Sequence, residues 1–380
     1  MKQEKAKAEA QAERPGLIYV IVILSGVVMG FSVSELLDQI DIRIPVLLFL
    51  LFAALLVSLF LHIVIHELGH LVFGLVSDYA FKSFRVGSFI LVKYEVEGFR
   101  LKRNRIAGMG GQCLLDPPGT YGDPFPYRLY LYGGILFNVV FSAVLSGLCL
   151  FLQSGAQLRL FAIVFTLVGL LVAFVNWMPV KEAFIPNDGT NARILSRNRE
   201  SGKYLWAQLK IAALNQEGVR MKNMPEAYFQ ADADDYLASS LRVFRIGRLI
   251  DAQDFDEAGT QIDGLLHDPS LVPLYKALLQ LERVFIGLLT DSEDVGLGVL
   301  EKKSIRQIRQ SMKNFPSILR FEYARALLLE GDEDRAEAIR KKFQKACSSY
   351  PNKADIESET ELMELVAASY RKKQAEAVSP

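Results

Sequence analysis

Apolar residues gather into four long runs, Gly16–Ser34, Ile44–Ser77, Leu129–Leu152 and Leu160–Met178, all before Pro179. Each meets the length of about 20 residues that a helix needs to cross the hydrocarbon core of a bilayer. The pattern therefore predicts four membrane-spanning helices. Between the second and third runs the period changes. From Phe84 to Val96, apolar and polar positions partly alternate, which predicts a short membrane-proximal β-hairpin rather than a fifth span. The following stretch, Ile106 to Tyr127, contains "GMGG" and "DPPGTYGDPFP" and reads as an irregular loop.

After the fourth run the chain becomes charged, and apolar residues recur at spacings of three and four, which predicts helices. Two segments share a layout, "GRLIDAQDFDEAGTQIDGLL" at Gly247–Leu266 and "ARALLLEGDEDRAEAIRKKF" at Ala324–Phe343. Each has an apolar helix, a turn containing Asp and a second helix. This is the layout of a tetratricopeptide-like helical hairpin, with an ordinary helical bundle as the alternative. The acidic "DADDY", Asp232–Tyr236, reads as a solvated face. The expected fold class is an all-α polytopic membrane protein with a small membrane-proximal β-hairpin and an α-helical domain. Residues 1–15 form a polar tail, 16–189 the membrane domain and 190–380 the helical domain.

Composition agrees with a membrane portion: 51% of the 380 residues are hydrophobic. Lys+Arg and Asp+Glu balance at 43 each, so net charge points to no nucleic-acid partner. Cys113, Cys149 and Cys347 are too far apart for a disulfide framework or a thiolate zinc site, which suits soluble parts in a reducing compartment. Lys and Arg set the orientation. They precede the first run and fill the connection between the second and third, whereas "ELLDQIDIR", Glu35–Arg43, is mainly acidic. The positive-inside rule then puts both termini in the cytoplasm, in the cell membrane. The first run is longer than a signal-peptide core and has no small-x-small cleavage site, so it reads as an uncleaved anchor.

The second run carries "LHIVIHELGHLVFG", Leu61–Gly74, which holds three of the chain's four histidines. Ionisable groups are expensive in such a segment and mark a functional site by default. His66 and His70 are four apart, so on a helix they project from one face, the spacing that two imidazoles need to hold one zinc ion. Glu67, beside the first ligand, suits the carboxylate that takes a proton from activated water. The bland alternative is an interhelical polar cluster. His62, one turn earlier, reads as a packing or supporting residue.

Catalytic zinc normally has three protein ligands. Asp188 in "NWMPVKEAFIPNDGTNARIL", Asn176–Leu195, is the natural oxygen donor, since Pro186 limits helix continuation and Gly189 frees the backbone. Both "HELGH" and Asp188 fall near the cytoplasmic face in the expected topology. A plain Asp-Gly turn is the alternative reading.

Three motifs in order, "HELGH" at His66–His70, "GGILFN" at Gly133–Asn138 and "NWMP" with "NDG" at Asn176–Gly189, make the chain resemble the site-2 protease family of intramembrane zinc metalloproteases. The resemblance implies zinc held by His66, His70 and Asp188, Glu67 as the catalytic carboxylate, and Asn138 binding substrate or the oxyanion. It implies hydrolysis of membrane-spanning protein substrates near the cytoplasmic face. A family proline after Gly134 is Ile135 here, and the gap from Asn176 to Asp188 is longer than usual. Glu182 inside that gap is a competing third ligand. The glycines of "GGILFN" also suit close helix packing. A strand edge in the hairpin would pair with unwound substrate, and the helical domain would bind a protein partner. Two rivals stand beside this reading. One is a catalytically inactive membrane-anchored scaffold, the other a transporter, which would show more spans and an internal repeat.

Overall fold

The computed structural model describes residues 42–104, 110–179, 186–292 and 295–378. The expected first span, the tail before it and Glu182 lie outside the described residues. Among those residues the chain forms twelve α-helices and one small sheet. Three of the helices, α1 (Ile44–Val76), α2 (Tyr127–Phe151) and α3 (Ala156–Trp177), are long and apolar enough to cross a membrane.

Pro45 sits in the first turn of α1, where its missing N–H costs no helical hydrogen bond. The helix ends where Asp78 takes a left-handed conformation, φ 63°, and the Tyr79 N–H returns to the Gly74 carbonyl at 3.0 Å. Its surface is inverted relative to a soluble helix. Phe49 is 68% exposed, whereas Ser58, His62, His66 and His70, spaced by four, are all buried. A helix apolar on its outer face with a polar stripe turned inward fits a lipid-exposed span with a functional interior.

The contacts divide the chain into two units, Met1–His66 with Ile135–Val175, and Glu67–Gly134 with Asn176–Pro380, and the boundary falls within α1. In the first unit small and hydroxyl side chains join the helices. Ser146 and Thr166 hydroxyls are 2.6 Å apart, and a Cβ on Gly169 would collide with Ser142 and His62. Such close approaches are the usual means of helix association where lipid removes the hydrophobic drive.

The second unit holds an antiparallel sheet of order β3-β2-β1-β4, built from β1 (Ala80–Val86), β2 (Phe89–Tyr94), β3 (Gly98–Arg103) and β4 (Gly111–Asp116). The expected hairpin is present as β1 and β2, turning at Gly87, φ 57°. The expectation of an irregular loop over Ile106–Tyr127 is corrected: its middle is β4, which pairs with β1 and buries Cys113 and Leu115. Six residues with two inward side chains, flanked by Gly-rich and Pro-rich runs, are too short a pattern to read without the partner strand.

The helical region after "NDG" comprises α4 (Asp188–Arg197), α5 (Gly202–Glu217), α6 (Tyr236–Asp251), α7 (Phe255–Leu265), α8 (Pro273–Leu289), α9 (Lys303–Ser311), α10 (Pro316–Ala324), α11 (Glu333–Ser349) and α12 (Lys353–Val378). Both segments singled out for their layout are helix–turn–helix. Asp254 and Asp332 cap the second helices, accepting from the backbone N–H of Glu257 and Arg335. The sheet is fastened to these helices: Tyr94 donates its hydroxyl to the Pro351 carbonyl at 2.7 Å, and Lys82 pairs with Glu217 at 3.0 Å.

Candidate metal centre

His70 lies one turn past His66 on α1. Its Nδ1 is 2.7 Å from the Tyr130 carbonyl oxygen at the start of α2, so Nδ1 carries the proton and donates. Nε2 is the nitrogen turned to Asp188, whose Oδ2 lies 3.2 Å away. A backbone carbonyl holding the rear nitrogen of an imidazole is the usual way a ligating histidine is oriented.

Asp188 is the first residue of α4, and three local features put it there. Asn187 caps the helix by accepting from Thr190 N–H at 3.0 Å and donates to the Met178 carbonyl at 2.7 Å. This ties the start of α4 to the end of α3. Gly189 completes the arrangement, because a Cβ there would collide with the carbonyls of Trp177 and Asn176. The "NDG" triplet thus supplies a cap, a carboxylate and a close approach in consecutive positions. The alternative of a plain Asp-Gly turn gives way to a helix N-terminus.

Glu67 is buried, and its carboxylate lies against the backbone of β4. A Cβ on Gly111 would sit 2.5 Å from Glu67 Cγ and 2.6 Å from Oε1. Cys113 lies on the same strand. Burial, with the Glu67 charge added, pushes its thiol well above the ordinary range. Gly69 and Gly133 bring α1 and α2 together: a Cβ on Gly133 would be 2.5 Å from the Gly69 carbonyl oxygen. The close packing expected of "GGILFN" is therefore present at Gly133.

His66 is held from behind by Asn138. The fully buried Asn138 amide has its Nδ2 3.3 Å from His66 Nδ1 and its Oδ1 3.1 Å from His62 Nδ1. His62 Nε2 is 2.9 Å from the Phe165 carbonyl oxygen and must donate to it. Asn138 Nδ2 donates to His66 Nδ1, so the amide supports the rear nitrogen of that ring. His62 takes the supporting place expected for it.

Ligand atoms of His66, His70 and Asp188 all lie within 4.8 Å of one another. Two imidazoles and a carboxylate in that span suit a transition-metal ion, zinc above all. Tyr130 and Gly111 carried no signal in the sequence, because one contributes a backbone carbonyl and the other only the absence of a side chain. No family model matches the chain, and no curated protein or solved structure is significantly similar to it.

Proposed function

We propose that the protein is an intramembrane zinc metalloprotease resembling the site-2 proteases, cutting membrane-spanning proteins near the cytoplasmic face. The observation that carries this reading is that His66 and His70, on a helix otherwise apolar enough to span a membrane and with Glu67 between them, come together with Asp188 of α4. The full reading has four spans, both termini in the cytoplasm of a cell-membrane protein, and tetratricopeptide-like hairpins in the helical domain.

His66, His70 and Asp188 would hold the ion. When bound, zinc supplies Lewis acidity, polarising a carbonyl and making water a stronger acid. Glu67 would take the proton from the attacking water and return it to the departing amine. The backbone of β4 fixes where that carboxylate can lie. Tyr130 and Asn138 hold the two imidazoles from behind, each at Nδ1. A substrate-contacting role for Asn138, as the resemblance implies, would require it to exchange one of its two histidine bonds. β4 stands at an edge of the sheet, and an unwound substrate segment adding to that edge would pass Gly111 and Glu67.

The test is zinc content and cleavage measured together. Protein in lipid nanodiscs is assayed for metal by mass spectrometry and for cutting of single-span substrates, with Glu67→Gln as control. Zinc near one per chain with cleavage lost in Glu67→Gln supports the reading. A metal-free wild-type protein, or equal cleavage by Glu67→Gln, would falsify it.

A further inference from the structure

In the helical domain, α5, α6, α8, α10 and α12 enclose a cleft of about 270 Å³. Its walls include apolar side chains such as Val243, Phe244, Leu278 and Leu362, and four carboxylates, Asp251, Glu282, Asp355 and Glu359. Three of these acids have a guanidinium partner. Asp251 is held by Arg220 at 2.5 Å, and Arg320 bonds Glu359 at 2.5 Å and Glu282 at 2.6 Å. Asp355 is different. It accepts from Asn215 at 2.8 Å, from Asn352 at 3.0 Å and from the Tyr350 hydroxyl at 3.3 Å, but has no cationic partner among the described residues. Burial raises its carboxyl above the ordinary range, the mark of an acid short of positive charge.

Two further groups in the cleft wall are incomplete. Arg320, 1% exposed, stacks on Phe285 and leaves Nη1 without a hydrogen-bond partner; Asn215, 4% exposed, leaves Oδ1 without one. Buried polar groups are normally satisfied, so a donor and an acceptor left open beside one uncompensated carboxylate point to a missing ligand. That ligand needs a positive charge for Asp355, a donor for Asn215 and a carbonyl for Arg320. Its cation should ride on an aliphatic stem, to suit the apolar walls.

We propose that this cleft binds a lysine or arginine side chain of a peptide segment, with Asp355 as counterion, Asn215 Oδ1 as second acceptor and Arg320 Nη1 bonding a peptide carbonyl. The identity of that segment rests on the protease reading. Cytoplasmic flanks of membrane-spanning helices carry an excess of Lys and Arg, so a membrane-spanning substrate would bring such a segment to the helical domain.

The experiment is fluorescence anisotropy with full-length Glu67→Gln protein in nanodiscs of neutral lipid. The probe is a fluorescein-labelled peptide of four Lys-Ser-Ala repeats, compared with its Gln-Ser-Ala counterpart. Because the protein is inactive and binding is read directly, failure of the protease reading and failure of the cleft give different results. The lysine peptide is expected to bind and the glutamine peptide not. Asp355→Asn should weaken binding by about tenfold, the scale of a hydrogen bond to a charged group. Asp263→Asn, an equal charge change at an exposed acid beside Arg283, should leave it unchanged. Ser358→Arg, which keeps every hydrogen bond around Asp355 and fills the cleft with an internal guanidinium, should abolish it. Equal binding of the two peptides, or unaltered lysine-peptide binding by a folded Ser358→Arg protein, would overturn the proposal and leave the cleft a hydrated packing defect.

Discussion

The Asn138 amide lies between His66 Nδ1, at 3.3 Å, and His62 Nδ1, at 3.1 Å, and is fully buried. Asn138 therefore supports the His66 ring from behind, without itself needing to be a ligand. Asn138→Leu has nearly the same volume but cannot bond either imidazole. It is expected to lower zinc affinity by about 10- to 100-fold, the usual cost of losing such support. His62→Phe should act in the same direction with a smaller effect, since it removes only the far end of the chain. Zinc affinity by competition with a chromogenic chelator measures both. Unchanged affinity in Asn138→Leu would remove Asn138 from the metal centre.

Gly111 sets the position of Glu67 by the lack of a side chain. Adding a methyl there places it 2.5 Å from Glu67 Cγ, so the carboxylate must move. Gly111→Ala should retain zinc while cleavage falls by about a hundredfold, the scale expected when a catalytic group shifts by about 1 Å. Glu67→Gln should likewise keep the metal and lose cleavage. If Gly111→Ala cleaves at the wild-type rate, β4 does not constrain the carboxylate.

Much of this centre was legible in the sequence because it depends on local geometry. The spacing of His66 and His70 is a property of one helix, and the apolar runs of α1 to α3 need no partner to be recognised. Asp188 was reached from the breakers around it, although its place at a helix start was not. What could not be read depends on distant backbone: the Tyr130 carbonyl behind His70, the strand β4 beside Glu67, and the Trp177 carbonyl against Gly189. Backbone groups are the same in every residue, so their use leaves no trace in composition or period. The open valences of Asn215 and Arg320 were hidden too, because they depend on which side chains α5, α8, α10 and α12 bring together from far apart in the chain.

Gly69 and Gly133 test the packing directly. A side chain at either position meets the other's carbonyl, with 2.5 Å between a Gly133 Cβ and the Gly69 oxygen. Backbone cannot yield as a flexible side chain can. Gly133→Val is expected to lower thermal stability or abolish accumulation of the folded protein, whereas Gly147→Val, on the same helix with nothing near its Cβ position, should be tolerated. Equal melting temperatures in nanodiscs for both variants would show that the close approach is not required.

Arg320 is buried between Glu282 and Glu359, so removing it strands two acids. Arg320→Leu should destabilise the helical domain by about 3–5 kcal/mol, the cost of breaking a buried pair from one side. Replacing all three charges by leucine should recover much of that loss, because the acids no longer need a counterion. Chemical denaturation followed by helical circular dichroism separates the two outcomes. A triple variant as unstable as Arg320→Leu would mean that the charges contribute more than mutual compensation.

The identity of the third ligand turns on Asp188 and Glu182, both in the long gap after "NWMP". Asp188 Oδ2 lies 3.2 Å from His70 Nε2, and the Asn187 cap and the Gly189 close approach hold it in place. Its position therefore does not depend on an ion being present. Asp188→Ala should lower zinc affinity by more than about tenfold, the lower bound for even supporting residues, while Glu182→Ala leaves zinc bound and cleavage largely intact. Asp188→Asn should sit between them, because it keeps an oxygen donor but not the charge. The measurement is zinc per chain after mild chelation, alongside cleavage of one single-span substrate. If Glu182→Ala strips the metal and Asp188→Ala does not, the carboxylate facing His70 serves only to pair with it, and the ion is completed from the gap instead.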